Sequence, residues 1–473
     1  MKKLLLLPFL FLFFAISCDD EINDTPIIAP EAVIANKTPI KGNSFLVVST
    51  TNKLPDNLAA QLATAKGTLT KSLSEIGVAV VTSDDADFVA KASKIKGIQA
   101  VIPNLKMPRI DPTELERNVA AEFANPPTSG DDDFFFDLQW GHDAVDAPEA
   151  WNAGYRGAGA RVAVLDTGFD LDHPDLEPNI NLNLSADMTG EGLQYTLPDA
   201  FSHGTHTAGT IAAADNGFGV IGIAPDAELV LVKVLYDDGW GFDSDVLNGM
   251  IHAVNVDADI ISMSLGGSFF KSGEKPYYTA KDAAEFKNIY DRVVHYARVN
   301  GTIVIAAAGN DGADFDHTAD LLFVPACSVN VVSVSATGPN GWALDPTTNL
   351  DLPAFYTNFG QSVIDFAGPG GTVDFDLANS GAMATVAGLT RPAYVFDFVF
   401  STGNDGWFWS IGTSMATPHV AGVAALIVGK NGGIMDPVRV EAILRASADD
   451  LGKPGNDDFY GAGRVNALKA VSQ

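Results

Sequence analysis

Four short stretches hold residue types able to do nucleophilic chemistry: "VAVLDTG" with Asp166, "HGTHTAG" with His203, "AAAGN" with Asn310 and "GTSMATPHVAG" with Ser414. A serine hydroxyl is a poor nucleophile at neutral pH, so a neutral imidazole must take its proton during attack. That imidazole needs its other N–H held by a carboxylate, which fixes the tautomer and stabilises the imidazolium. The oxyanion formed on a substrate carbonyl needs donors already in place, a role suited to the Asn310 carboxamide and the Ser414 backbone N–H. Small residues around Ser414 let a carbonyl approach. The run that follows reads as a helix, whose N-terminal end favours negative charge.

Each stretch also has a plain explanation. An aspartate at a strand end commonly caps the next turn, and Gly-Asn is commonly only a turn. Ser-Met-Ala-Thr-Pro can simply start a helix, with Pro418 in its first turn. "HGTH" also offers a His-x-x-His metal pair, His203 and His206, without a neighbouring glutamate or a third ligand in view. A metal hydrolase on that pair is therefore a rival, to be killed by chelation. Joint occurrence in one order, each at the end of an element, favours the serine.

The elements that must hold these residues are legible from periodicity. "RVAVLD", "ELVLVKVL", "DIISMSLGG", "TIVIAAAGN" and "VNVVSVSA" are apolar, β-branched runs suited to parallel strands buried on both faces. In "DAAEFKNIYDRVVHYARVNG", Phe286, Ile289, Tyr290, Val293 and Ala297 form a core-facing helical stripe. The pattern predicts an α/β fold over 134–473: a doubly wound, mainly parallel sheet with helices on both faces. Ligands then belong at the carboxyl ends of strands. Two irregular pieces, 268–281 and 372–409, are expected as surface insertions. Upstream, 43–103 reads β-α-β-β-α-β, a small ferredoxin-like α+β domain. Between them, 104–133 ends in "NPPTSGDDD", an exposed linker of the kind proteases cut.

The chain opens with "MKKLLLLPFLFLFFAISCDD". Two lysines, a short apolar run and small residues predict an export signal over 1–17. "AISC" resembles the processing box of bacterial lipoproteins, with Cys18 as the lipidated residue; a plain cleaved signal is the alternative. Residues 18–42 read as a tether. The only other cysteine is Cys327, so a structural disulfide is not expected and an inert buried thiol is. A net charge of -30 over 473 residues excludes nucleic acid as a partner and suits an exported, soluble protein.

Together, Asp166, His203, Asn310 and Ser414 in "GTSMATPHVAG" resemble the subtilisin-like serine proteases, over 134–473. The resemblance implies an exported serine endopeptidase, made as a self-processing zymogen with 43–103 as inhibitory propeptide. It implies polypeptide substrates held between Ser264, Leu265, Gly266 and Gly267 on one side and Gly239 and Gly241 on the other. The pocket for the residue before the scissile bond would be walled by Ala307, Ala308 and Gly309, with Phe323 as a raised floor that favours small side chains. A structural calcium is implied at Asp175, Asn216 and the carbonyls of Ala214, Phe218 and Val220, with Asp137 or Gln139 as a further ligand. His206 and His419 are structural on this reading. Lipid on Cys18 lies upstream of the linker, so the precursor would be bound at the cell envelope and the mature enzyme released. The rival from another class is a pseudoprotease, a surface binding module that keeps the fold without turnover.

Overall fold

The computed structural model describes residues 38–110, the backbone of 117–119, and residues 133–197, 201–317 and 320–473. The signal, Cys18, most of the tether and most of the linker lie outside the described residues.

The N-terminal unit runs β1 (Ile40–Ser49), α1 (Leu58–Thr64), β2 (Thr68–Leu73), β3 (Val78–Thr82), α2 (Phe88–Ala92) and β4 (Ile98–Pro108). Element order follows the sequence pattern, but β4 continues five residues past the expected end at 103. Strict alternation splits its sheet into two faces. Val47, Ala79, Val81 and Val101 pack on α1 and α2, while Leu46, Val48, Val80 and Ile102 join the core of the larger unit.

The larger unit contains β5 (Arg161–Asp166), α3 (His203–Ala212), β6 (Glu228–Lys233), β7 (Trp240–Phe242), α4 (Asp243–Asn255) and β8 (Ile260–Met263). There follow β9 (Gly267–Phe270), α5 (Ala280–Val299), β10 (Ile303–Ala307), β11 (Leu321–Val324), β12 (Val331–Gly338) and β13 (Phe366–Pro369). It ends with β14 (Val399–Gly403), β15 (Gly406–Ser410), α6 (Thr413–Lys430) and two shorter helices. Strands lie in the order β12-β10-β8-β5-β6, all parallel, with β13 parallel beside β12. Val162 and Val164 of β5 face α3 and α6; Ala163 and Leu165 face α4 and α5. Helices therefore cover both faces, as the continuous apolar strands require. The stripe on α5 is buried as expected.

The two irregular pieces are only partly surface insertions: most of 268–281 is exposed, whereas Phe269 and Tyr278 and most of 393–409 are buried. In the first, β9 pairs antiparallel with β11, and Phe269 stacks on Phe286 at 4.6 Å. In the second, β14 and β15 form a hairpin lying on α3, and Phe396, Phe398 and Trp409 are fully buried. The aromatic run from Tyr394 to Trp409 carries too much apolar area to leave in water. Among the described residues no helix is long and apolar enough to cross a membrane.

Candidate active site

Asp166 is the last residue of β5 and is fully buried. Its Oδ1 accepts the Thr167 N–H at 2.7 Å and lies 2.8 Å from His203 Nδ1. Its Oδ2 accepts from the Thr207 hydroxyl at 3.2 Å. A carboxylate held on both oxygens cannot swing, and it keeps the proton of the imidazole on Nδ1, so Nε2 is the basic nitrogen. His203 opens α3, where Ser202 caps the helix by accepting the Thr205 N–H at 3.2 Å.

Ser414 stands in the first turn of α6, a helix buried on almost every side and packed against α3 and β8. Gly412 precedes that turn at φ 153°, ψ 161°, a conformation reserved for glycine. The Ser414 hydroxyl donates to the Ser264 carbonyl at 3.1 Å, and the Ser264 hydroxyl donates to the Ser414 carbonyl at 2.7 Å. Asn310 follows β10, and its Oδ1 accepts both the Thr413 N–H at 2.9 Å and the Thr413 hydroxyl at 2.8 Å. With that oxygen occupied, the amide presents its NH₂ as the remaining polar group. Asn310 and Ser414 line one cleft.

Ala307, Gly309 and Phe323 line the same cleft, whose open space is about 20 Å³, room for about one water. The Phe323 ring takes the place that side chains at Gly266 and Gly309 would need; a Cβ on Gly266 would sit 2.1 Å from it. Ala308, expected in the wall, is fully buried and is not among the residues lining the cleft. Its N–H bonds Val334 at 3.0 Å and its carbonyl accepts from Asn358 at 2.8 Å.

The end of β4 occupies the groove expected for a peptide. Lys106, Met107 and Pro108 pair antiparallel with Phe242, Gly241 and Trp240. The Arg109 N–H donates to the Gly239 carbonyl at 3.0 Å, and the Gly266 N–H donates to the Arg109 carbonyl at 3.1 Å. Residues 106–110 thus form a strand between the two backbone edges read from the sequence. Beyond Ile110 the chain leaves the described residues, and 117–119 pair with β15.

His206 and His419 serve the scaffold. His206 Nε2 bonds the Phe408 carbonyl at 3.1 Å, and His419 Nδ1 bonds the Met415 carbonyl at 2.8 Å. Burial lowers both, to about 3 and about 4. His203 and His206 therefore hold different partners, and no group of three metal-ligating side chains occurs among the described residues. Burial raises the Cys327 thiol, in keeping with an inert group.

Asn216, in the loop after α3, reaches the loop of Asp175, its amide donating to the Pro174 carbonyl at 3.3 Å. Asp175 Oδ2 accepts from Val220 N–H at 2.9 Å and Trp407 Nε1 at 2.8 Å, while Oδ1 is buried without a hydrogen-bond partner. Burial pushes this carboxyl up to about 7. An orphaned, buried carboxylate oxygen is what a hard cation neutralises, so Asp175 fits calcium. Gln139 is no ligand, because both ends of its amide bond the Ile221 backbone, at 2.9 and 3.0 Å. The N-terminal segment reaching the loop is instead Asp133, whose Oδ1 accepts from Asn216 and Phe218 N–H at 3.3 and 3.2 Å. Sequence reasoning placed Asp133 in the linker.

Fold and site together define a serine hydrolase on a doubly wound sheet. The subtilase family model matches residues 157–463, and the chain belongs to that family, the subtilisin-like serine proteases. Thermitase from Thermoactinomyces vulgaris is 32% identical over 348 residues, covering 72% of this chain and 98% of that protein. M-protease from Shouchella clausii is 33% identical over 396 residues, covering 83% and 85%. Among solved structures, fervidolysin from Fervidobacterium pennivorans aligns over 92% of this chain and 62% of that one, with a TM-score of 0.66 at 22% identity. That last likeness concerns the fold alone.

Proposed function

We propose that the protein is an exported serine endopeptidase made as a self-processing zymogen. Ser414 Oγ attacks the scissile carbonyl carbon while its proton passes to His203 Nε2, and Asp166 stabilises the imidazolium formed. The Asn310 NH₂ and the Ser414 N–H bind the oxyanion. Collapse expels the amine, which takes the proton from His203, and leaves an ester on Ser414; water activated by the same imidazole then hydrolyses it.

The observation that carries this reading is the contact of Asp166 with His203 at 2.8 Å, beside a cleft filled by the protein's own strand 106–110. Backbone pairing of this kind binds an extended peptide with little regard to its sequence. A strand that leads through the cleft into the linker suits an inhibitory prosegment, and the scissile bond then lies within 111–132. The 396 residues matched by M-protease exceed what 134–473 contains, so that likeness extends into the N-terminal unit.

Calcium is part of the proposal, held by Asp175, Asn216 and the carbonyls of Ala214, Phe218 and Val220. When bound it supplies fixed positive charge to the loop after α3. Export with lipid on Cys18 completes it.

Processing and labelling test the core of the reading. Wild-type chain is expected to cut itself within 111–132, as N-terminal sequencing would show, and to react with a fluorophosphonate. The Ser414→Ala chain should do neither. A processed wild-type protein that ignores the probe would instead be a binding module.

A further inference from the structure

Arg109 is the residue of the cleft strand whose side chain meets a buried charge. It is fully buried, and its Nη2 lies 2.6 Å from Asp243 Oδ1, itself fully buried. The Tyr290 hydroxyl donates to the same Oδ1 at 3.1 Å. Gly267 makes the room, since a Cβ there would sit 2.2 Å from Arg109 Nη1. Asp243 Oδ2 receives no hydrogen bond, nor do Arg109 Nε and Nη1 find partners. The pocket therefore holds a fully buried carboxylate with one oxygen in hand and one unused.

Asp243 opens α4 and Tyr290 comes from α5, so both belong to the larger unit and stay when the N-terminal unit leaves. A carboxylate left in such a pocket loses its cationic partner Arg109, and uncompensated buried charge is costly. A guanidinium restores the pair with planar, multiple donors, better than a flexible ammonium and far better than an apolar side chain. Arg109 enters along a strand paired through main-chain atoms, so a substrate strand in the same groove would offer its side chain at the same depth.

We propose that Asp243 is a specificity-determining residue, selecting peptides with an arginine at the position that Arg109 fills, at least two residues before the scissile bond. This rests on the reading of 134–473 as an active endopeptidase. Neither the family match nor the catalytic residues require an acid at that place.

The test uses self-processed wild-type enzyme and paired peptides identical except for Arg or Leu at each position before the cleavage site. One fixed position is expected at which Arg raises kcat/KM at least tenfold over Leu, with Lys between. In processed Asp243→Asn enzyme the Arg-to-Leu ratio should fall to near one. If that variant does not process, the wild-type ratios alone decide. Equal cleavage of Arg and Leu peptides at every position would overturn the proposal while leaving the endopeptidase intact. No cleavage of any peptide would instead sink the underlying function. As a second measurement, Arg109→Leu full chain should release its N-terminal unit faster after cleavage, and unchanged release would also count against the pocket.

Discussion

Thr413 holds Asn310 by two hydrogen bonds to one oxygen, from its N–H at 2.9 Å and its hydroxyl at 2.8 Å. The same hydroxyl accepts the Gly309 N–H at 3.1 Å. The residue before Ser414 thus sets the orientation of the amide on the facing strand end. Under the proposed mechanism this makes Thr413 a positioning residue. Thr413→Val is expected to lower kcat with little change in KM, by less than the loss of the amide itself. Losing that amide costs on the order of 10²–10³ in kcat, the magnitude measured in subtilisin and carried over from it. Thr413→Ser should keep most of the rate. A KM effect without a kcat effect would contradict the assignment.

Under the proposed function, Phe323 sets how large a side chain the cleft accepts, because its ring lies against Gly266 and Gly309. Phe323→Gly is expected to move preference before the scissile bond from small residues toward Phe and Tyr, by tenfold or more in kcat/KM. Profiling both enzymes with one peptide library checks it; wild-type preference for large aromatics would refute the raised floor.

Calcium should stabilise the loop after α3. A chelator is expected to lower the melting temperature of processed enzyme and calcium to restore it; the stability regained is RT ln(1 + [L]/Kd), about 2.7 kcal/mol at a hundredfold excess over Kd. Asp175→Asn should abolish the response. A wild-type melting temperature indifferent to both additions would remove the metal.

Acid should weaken the fold through buried imidazoles. His206 is held neutral by burial, at about 3 in the folded chain against 6.5 in model compounds. The unfolded chain binds this proton first, so the contribution is complete above about 6.5 and is lost as pH falls toward 3. The expected slope is about 1.4 kcal/mol per pH unit for the one group. Between pH 6 and 4, denaturant unfolding of His206→Gln should show a pH slope shallower by that amount. Parallel slopes would mean that His206 is not held neutral.

The anchor should part from the enzyme on processing. Precursor with Ser414→Ala is expected in the membrane fraction and processed wild type outside it, with Cys18→Ser precursor released. Membrane-bound processed enzyme would contradict the order of segments.

Much of this was legible in the chain alone, because the signals are local. An apolar, β-branched run reads as a buried strand wherever it packs, and α5 shows its stripe through 3.6-residue periodicity. Asp166, His203, Asn310 and Ser414 stand out because each chemical type sits at the end of such an element. The split-βαβ order of the N-terminal unit follows from the same local patterns. What tertiary structure alone decided is which distant groups meet. The run 394–409 looks irregular by period, yet is core because α3 offers it a surface. Ala308, just past the end of β10, is buried outside the cleft lining because its main chain is held by Val334 and Asn358. Arg109 has nothing in its neighbourhood to mark it, and its meaning comes from Asp243, which only the pairing of β4 with β7 brings within 2.6 Å. Periodicity is set by neighbours a few bonds away, whereas a buried charge chooses its partner across the whole fold.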